Sequence, residues 1–424
     1  MTLHNTEQRR GQDDESRTVT RAILGFALAS LLATPVAAQV RSFAFGPAKA
    51  GITVIHADHL YAGDYGYEPG RHGLFSIKTA PGNYRVTVTL GLPKTATETT
   101  IKAENRRLML DAVEVPAGRH VTRSFIVNIR DAALVPPPPS APGGSAVALK
   151  PRETTAFTWD DKLTLEFLGA NPGITAVTIA PVAVPTVFLL GDSTVTDQPA
   201  EPGASWGQML PAFFKPDIAV ANHAESGETL KSFVTELRFA KVLELVKPGD
   251  WALIQFGHND QKAQWPQTYA AADTTYRDYL RTFIAEFRRR GVTPILITSP
   301  ERRNWTGTKI RPTLAEYAAA VRAVGLEEKV PVIDLNAAST RIYEALGPAR
   351  APLAFSDGGK DATHHDNYGA WVLARSVAQG LADAKLPLAE HLDVGIFDPD
   401  RPPDPATFHL TPSAAANYVK PDGN

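Results

Sequence analysis

An apolar run, Val184-Pro185-Thr186-Val187-Phe188-Leu189-Leu190, breaks abruptly on Gly191-Asp192-Ser193-Thr194. A short β-rich run ending this way predicts a buried strand that delivers a serine hydroxyl to the edge of a sheet. A strand with near-continuous apolar side chains needs cover on both faces. The chain that follows supplies it, since apolar runs at 186–190, 218–221, 251–255, 293–298 and 330–334 alternate with helical patterns. The clearest helix covers 276–290, with Tyr276, Tyr279, Leu280, Phe283, Ile284 and Phe287 at helical spacing and Gly291 as its stop. The expected fold is α/β, a three-layer parallel sheet with helices on both faces, in which ligands bind at the carboxyl ends of the strands. Ser193 follows the first strand and Asn259 the third, so both fall on that edge.

The preceding part of the chain has another texture. Residues 40–180 read as short β segments at 51–56, 74–78, 84–90, 99–103, 106–110, 123–129 and 162–168, separated by turns such as Pro81-Gly82-Asn83 and Pro116-Ala117-Gly118. Period-two alternation, as in Arg85-Val86-Thr87-Val88-Thr89, predicts an antiparallel β-sandwich. The proline-rich stretch at 135–144 reads as an exposed insertion, because polyproline cannot join a central strand.

A chain of 424 residues with 43% hydrophobic content has room for two such domains. The expected organisation is an export signal at 1–38, a β-sandwich at 40–180, a catalytic domain at 183–388 and a C-terminal extension at 389–424. Arg17 and Arg21 precede an apolar stretch at 22–33 and the small residues of Thr34-Pro35-Val36-Ala37-Ala38, the pattern of a cleaved signal peptide. A periplasmic or secreted protein is expected, with no membrane association after cleavage. The absence of cysteine excludes a disulfide framework, and a net charge of −2 without a basic cluster argues against nucleic acid as a partner.

Three segments carry chemistry: Gly191-Asp192-Ser193-Thr194, Phe256-Gly257-His258-Asn259-Asp260 and Asp361-Ala362-Thr363-His364. A serine nucleophile needs a base, and the base needs an orienting carboxylate. Asp361 and His364 stand three apart before a helix-like stretch, close enough for the carboxylate to hold one imidazole nitrogen while the other faces Ser193. An oxyanion needs donors, which the Ser193 N–H, the Asn259 side-chain amide and a flexible glycine, best Gly227 in Asn222-His223-Ala224-Glu225-Ser226-Gly227, can supply. No Gly-x-Ser-x-Gly elbow is present, which argues against the usual α/β-hydrolase arrangement.

The order Gly-Asp-Ser, loop glycine, Gly-x-Asn-Asp and Asp-x-x-His resembles the block pattern of the SGNH (GDSL-type) hydrolases. Trp206-Gly207-Gln208-Met209-Leu210, Gln255-Phe256-Gly257-His258-Asn259-Asp260 and Asn367-Tyr368-Gly369-Ala370 are similar to the rhamnogalacturonan acetylesterase-like branch, over residues 183–386. The resemblance implies Ser193 as nucleophile, His364 as base, Asp361 as its orienter, Ser193, Gly227 and Asn259 as oxyanion donors, and no cofactor. It implies an ester hydrolase removing acetyl groups from pectic rhamnogalacturonan through an acyl-enzyme. Other acetylated glycans such as xylan, short-chain esters, or a non-catalytic carbohydrate-binding protein are the alternatives. Glu228 departs from the arginine that follows the glycine in many relatives, and the doublet His364-His365 admits an off-by-one assignment that spacing from Asp361 resolves toward His364. The β-rich region resembles a galactose-binding-like domain through Phe43-Ala44-Phe45-Gly46, Tyr65-Gly66-Tyr67, the stretch 82–88 and the stretch 102–110.

Several residues admit two readings. His258 is a structural histidine or a substrate contact, and Asp260 a turn former or a support within the site. Asp192 satisfies loop amides, and Trp206 packs in the core or lines the cleft. Tyr65 and Tyr67 pack at strand ends or stack on sugars, while Arg302 and Arg303 belong to a solvated loop or contact galacturonate. His223, His258, His364 and His365 lack metal-ligand spacing and His56-Ala57-Asp58-His59 reads as a solvated loop, so no metal is assigned.

Overall fold

The computed structural model describes residues 39–46, 52–71 and 73–414, so the export-signal segment at 1–38 lies outside the described residues. The β-rich part contains β1 (Arg41–Ala44), β2 (Thr53–Val54), β3 (Tyr65–Tyr67), β4 (Leu74–Lys78), β5 (Gly82–Leu90), β6 (Thr97–Ala103), β7 (Arg107–Val115), β8 (Val121–Ile129), β9 (Lys162–Asn171) and β10 (Ile174–Pro181). They form two five-stranded sheets, ordered β2-β1-β10-β5-β8 and β3-β4-β9-β6-β7, antiparallel except for the β1–β2 pair. Val86, Val88 and Val177 from the first sheet and Phe75, Ile101 and Leu165 from the second share one apolar core. Alternation drives this, because β5 buries Tyr84, Val86, Val88 and Leu90 and turns the residues between them outward. The strand expected at 51–56 is reduced to Thr53–Val54, and β1 and β10 pair along their length although neither was legible as a strand. Tyr65 and Tyr67 pack against Phe43 and Phe75, so both serve the sandwich.

The second half runs β11 (Thr186–Gly191), α1 (Trp206–Met209), β12 (Ala219–Asn222), α2 (Leu230–Thr235), α3 (Arg238–Leu245), β13 (Trp251–Gln255), α4 (Thr275–Arg289) and β14 (Thr293–Ile297). A hairpin of β15 (Trp305–Thr306) and β16 (Lys309–Ile310) follows, then α5 (Ala315–Glu328), β17 (Val332–Ile333), α6 (Leu335–Arg350) and α7 (Asn367–Asp383). The sheet is wholly parallel in the order β12-β11-β13-β14-β17. Val187, Leu189, Leu253, Ile295 and Ile297 face the core shared with α1, α6 and α7. The intervening Phe188, Leu190, Ala252, Ile254 and Leu296 face α2 to α5, which gives the three layers. On α4 the expected stripe is the buried one, with Phe283 stacked on Phe239 at 3.9 Å, and Gly291 at φ +72° ends the helix.

The two halves belong to one compact unit. Leu108 of β7 enters the core of the α/β half, and Asn83 Nδ2 donates to Thr186 Oγ1 at 2.9 Å. The segment after α7 returns across both halves. Phe408 packs on Tyr368 at 5.3 Å, and Ser413 donates through its N–H to Glu201 at 2.9 Å and through its hydroxyl to Glu166 at 2.6 Å. Trp206 is fully buried with Nε1 donating to Gln255 Oε1 at 2.8 Å, so it is core and lines no cleft. No helix among the described residues is long and apolar enough to cross a membrane.

Candidate active site

β11 delivers Ser193 through a tight turn. Gly191 is required where the chain leaves the strand, because a Cβ there would stand 2.7 Å from the Gln255 carbonyl oxygen. The Val195 and Thr196 amides both donate to the Asp192 carbonyl at 3.0 Å. Asp192 Oδ1 accepts from the Thr194 N–H at 2.9 Å and hydroxyl at 2.8 Å, as an Asx turn requires. Gln198 Nε2 donates to the Ser193 carbonyl at 2.7 Å and completes the loop.

The segment before α7 brings the other two residues to this edge. His364 Nε2 lies 2.9 Å from Ser193 Oγ, and His364 Nδ1 lies 2.9 Å from Asp361 Oδ2. Asp361 Oδ1 accepts from the backbone N–H groups of Thr363 at 2.7 Å and His364 at 2.9 Å. Burial pushes this carboxyl up, but the His364 hydrogen bond and those two amides outweigh it and hold it below the ordinary aspartate value. His365 turns the other way, with Nε2 2.7 Å from the Tyr343 hydroxyl, and burial pushes it down to about 3. Geometry therefore assigns the Ser193 contact to the first histidine of the doublet.

The candidate oxyanion donors lie on three separate loops. Asn259 follows β13, with Nδ2 donating to the Glu228 carbonyl at 3.0 Å and Oδ1 accepting from Lys262 at 2.9 Å, which leaves one Nδ2 hydrogen over. Gly227 adopts φ +83°, a conformation that favours glycine. Among the described residues, neither the Ser193 nor the Gly227 N–H donates to another group. Ser193 and His364 are 3% and 1% exposed, so charge developing here is poorly screened by water.

Neighbouring residues support these. His258 is buried with Nδ1 3.2 Å from Asp192 Oδ2, and burial keeps it below the ordinary histidine value, so it is structural. Asp260 Oδ1 accepts from the Leu230 N–H at 2.9 Å, tying the third loop to the start of α2. Burial raises the Asp260 carboxyl to about 8. Arg302 and Arg303 are tied to neighbouring loops. Arg302 Nη2 donates to the His258 carbonyl at 3.2 Å, while Arg303 Nη2 donates to the carbonyls of Gly359 at 2.5 Å and Asp361 at 3.2 Å. Both guanidiniums hold loops in place because buried carbonyls there need donors.

Glu228, which stands where many relatives have an arginine, is turned into the protein. It is fully buried, ion-paired to Lys150 and 3.4 Å from Arg238 Nε, and accepts from the Ser232 hydroxyl at 2.7 Å. Lys150, Arg152, Gln198 and Glu225 were not legible as site residues, since their partners lie far away in sequence or carry no motif. His223 lies against the rings of Trp159 and Phe188. No group of three or more potential ligands that could hold a metal ion is present among the described residues. Beside the Glu225-Ser226 loop is a small cavity lined in part by Asn105, Arg152, Ala156 and Pro199. Those four residues also line a cavity of about 560 Å³ that reaches Arg71, Arg106, Phe157 and Glu166 of the β-rich half.

The sequence profile of the GDSL-like lipase/acylhydrolase family matches residues 189–372. Rhamnogalacturonan acetylesterase RhgT of Bacillus subtilis (strain 168) is 40% identical over 220 residues, covering 49% of this chain and 93% of that protein. The probable rhamnogalacturonan acetylesterase YesY of the same organism is 34% identical over 209 residues, covering 49% of this chain and 96% of that protein. The crystal structure of Bacillus subtilis YxiM matches with a TM-score of 0.48 at 22% identity, covering 82% of this chain and 99% of that one.

Proposed function

The chain belongs to the GDSL-like lipase/acylhydrolase (SGNH) family and is a carboxylic ester hydrolase, and from that premise we propose that it removes O-acetyl groups from pectic rhamnogalacturonan by a Ser-His-Asp acyl-enzyme mechanism. The observation that carries the mechanism is the continuous hydrogen-bonded chain from Asp361 through His364 to Ser193, with both contacts at 2.9 Å. Ser193 Oγ attacks the acetyl carbonyl while His364 Nε2 takes its proton, and Asp361 steadies the resulting imidazolium. The tetrahedral oxyanion is met by the N–H groups of Ser193 and Gly227 and by Asn259 Nδ2. Collapse breaks the ester bond, His364 returns the proton to the departing sugar oxygen, and acetyl remains on Ser193. Water, deprotonated by His364, then attacks the acyl-enzyme and releases acetate.

The glycan assignment is supported by the names of the two relatives, one a rhamnogalacturonan acetylesterase and the other named a probable rhamnogalacturonan acetylesterase. The 560 Å³ cavity offers the β-rich half as a second wall for a polymer, in keeping with a galactose-binding-like role. Arg71 on that wall is exposed, lies over Phe157 at 5.4 Å, and faces no carboxylate partner among the described residues. It supplies the local positive charge that a galacturonate-containing polymer requires and that a net charge of −2 does not. The leader-like segment at 1–38 supports export to the periplasm or medium, where such a polymer is met.

The test is acetate release from acetylated rhamnogalacturonan and from acetylated xylan, with the wild type and Ser193→Ala. Release that prefers rhamnogalacturonan and vanishes in the variant is expected. Equal release from both polymers removes the pectin specificity, and activity surviving in the variant removes the mechanism.

A further inference from the structure

One peptide group of the candidate site is held from outside the α/β half. The Ser226 carbonyl accepts from Lys150 Nζ at 2.7 Å and from Arg152 Nη2 at 2.6 Å. That oxygen and the Gly227 N–H are opposite ends of a single planar peptide, so fixing one fixes the direction of the other. A peptide before glycine is otherwise easily rotated, since glycine tolerates either sign of φ. We infer that Lys150 and Arg152, from the connection between β8 and β9 of the β-rich half, are positioning residues that aim and polarise the Gly227 N–H toward the acyl oxygen. This rests on Gly227 as an oxyanion donor, as proposed above.

The surroundings are built for this duty. Both cations are anchored by the carboxylates that flank the peptide: Arg152 Nε donates to Glu225 Oε1 at 2.8 Å, and Lys150 pairs with Glu228. Glu225 Oε1 also accepts from the Ser226 N–H at 2.7 Å, which restrains the other side of Ser226. The Lys150 N–H donates to Glu153 Oε2 at 2.8 Å, and Glu153 takes two hydrogen bonds from Arg238, at 3.0 Å and 2.5 Å. The 150–153 segment is therefore clamped to the start of α3, and its two cations cannot drift from the carbonyl. The burial of Glu228 at the position following the glycine has the same explanation, for it holds Lys150 rather than substrate.

The test uses the full chain and nitrophenyl acetate, an ester too small to reach the large cavity. Lys150→Met should lower kcat by about tenfold to a hundredfold, short of the roughly 10²–10³ lost when a donor is removed outright. KM should stay within about twofold, because the peptide acts on the tetrahedral state rather than on bound ester. Affinity for a boronic acid, which forms a tetrahedral adduct on serine, should fall in parallel with kcat, whereas inhibition by acetate should not change. Lys150→Arg, which keeps the charge, should recover most of the rate. A kcat and boronate affinity equal to wild type, or a loss confined to KM or to melting temperature, would overturn the inference. Should Lys150→Met not fold, Arg152→Gln decides by the same readouts, its side chain lying at the rim with 30% exposure. Ser193→Ala separates the two failures. If that variant stays active the mechanism itself is wrong; if it is dead while both clamp variants match wild type, only the positioning role is lost.

Discussion

Replacing Asp361 by asparagine separates the charge of the carboxylate from its geometry. Oδ1 holds the Thr363 and His364 backbone amides at 2.7 Å and 2.9 Å, whereas Oδ2 alone faces His364 Nδ1 at 2.9 Å. An asparagine with its oxygen at the Oδ1 position keeps both amide bonds and turns its NH₂ toward Nδ1. That nitrogen must then accept, and the ring proton moves to Nε2, the atom 2.9 Å from Ser193 Oγ. A protonated Nε2 cannot take the serine proton. In chymotrypsin-like proteases the corresponding change lowers kcat about 10⁴-fold, which is roughly 5.5 kcal/mol at about 1.4 kcal/mol per tenfold. A loss of about 10³-fold or more is expected here, because the chain of contacts is the same. Stability should suffer much less, with one hydrogen bond to a charged group removed, at most about 1.5–3 kcal/mol.

The pH dependence gives a second handle on the same variant. The folded protein holds Asp361 below its ordinary value of 3.8, so its contribution to stability is present above that value and is lost as pH falls below it. The melting-temperature gap between wild type and Asp361→Asn should therefore be open at neutral pH and close in acid. The assay is the initial rate on nitrophenyl acetate beside a thermal melt at each pH. A folded variant within tenfold of the wild-type rate at neutral pH would refute the tautomer argument.

Two further changes have outcomes with a definite sign. Burial raises Asp260 from 3.8 to about 8, so the folded state keeps a proton that the unfolded chain releases. That stabilisation is complete below 3.8 and is lost as pH rises through about 8, with a slope of roughly 1.4 kcal/mol per pH unit. Asp260→Asn should flatten the stability-against-pH curve across this window, and parallel curves for the two proteins would sink the reading. Arg71→Ala should raise KM for acetylated rhamnogalacturonan up to about fivefold, the worth of an exposed charge contact. The effect should shrink in high salt and leave nitrophenyl acetate hydrolysis unchanged; an unchanged KM on the polymer would remove Arg71 from the binding wall.

Much of the architecture is legible because it is written in local periodicity. The strand read at 251–255 is Trp251–Gln255, and the helix read at 276–290 is Thr275–Arg289. The contact of Ser193 with His364 and of His364 with Asp361 was equally readable, since each of the three sits in a short block of turn-forming or chemically distinctive residues. β10 was missed because Thr175-Ala176-Val177-Thr178 blurs the alternation with small and half-polar side chains, and pairing with β1 and β5 settles it. The contacts of Arg302, Arg303 and Glu228 were not legible for a different reason. Their roles are set by carbonyls and cations brought near by folding, such as Lys150 for Glu228, and such pairings leave no periodic trace.

The same long-range pairings decide what kind of object the β-rich half is. Along the seam between the halves, Lys102 and Arg106 meet Glu201, Arg107 meets Asp197, Arg152 meets Glu225, Lys150 meets Glu228, and Arg238 meets Glu153. Buried ion pairs add little stability over well-packed apolar residues, yet losing one partner of such a pair costs about 3–5 kcal/mol. A seam of this kind is a poor glue and a strict register device, because a small slip leaves several charges unpaired at once. A tethered binding module needs no such registry, for its linker only has to keep it nearby. A half that supplies both cations on the Ser226 carbonyl needs it to within a hydrogen bond's tolerance. The ionic seam is thus better understood as part of the catalytic geometry than as an attachment between two independent domains.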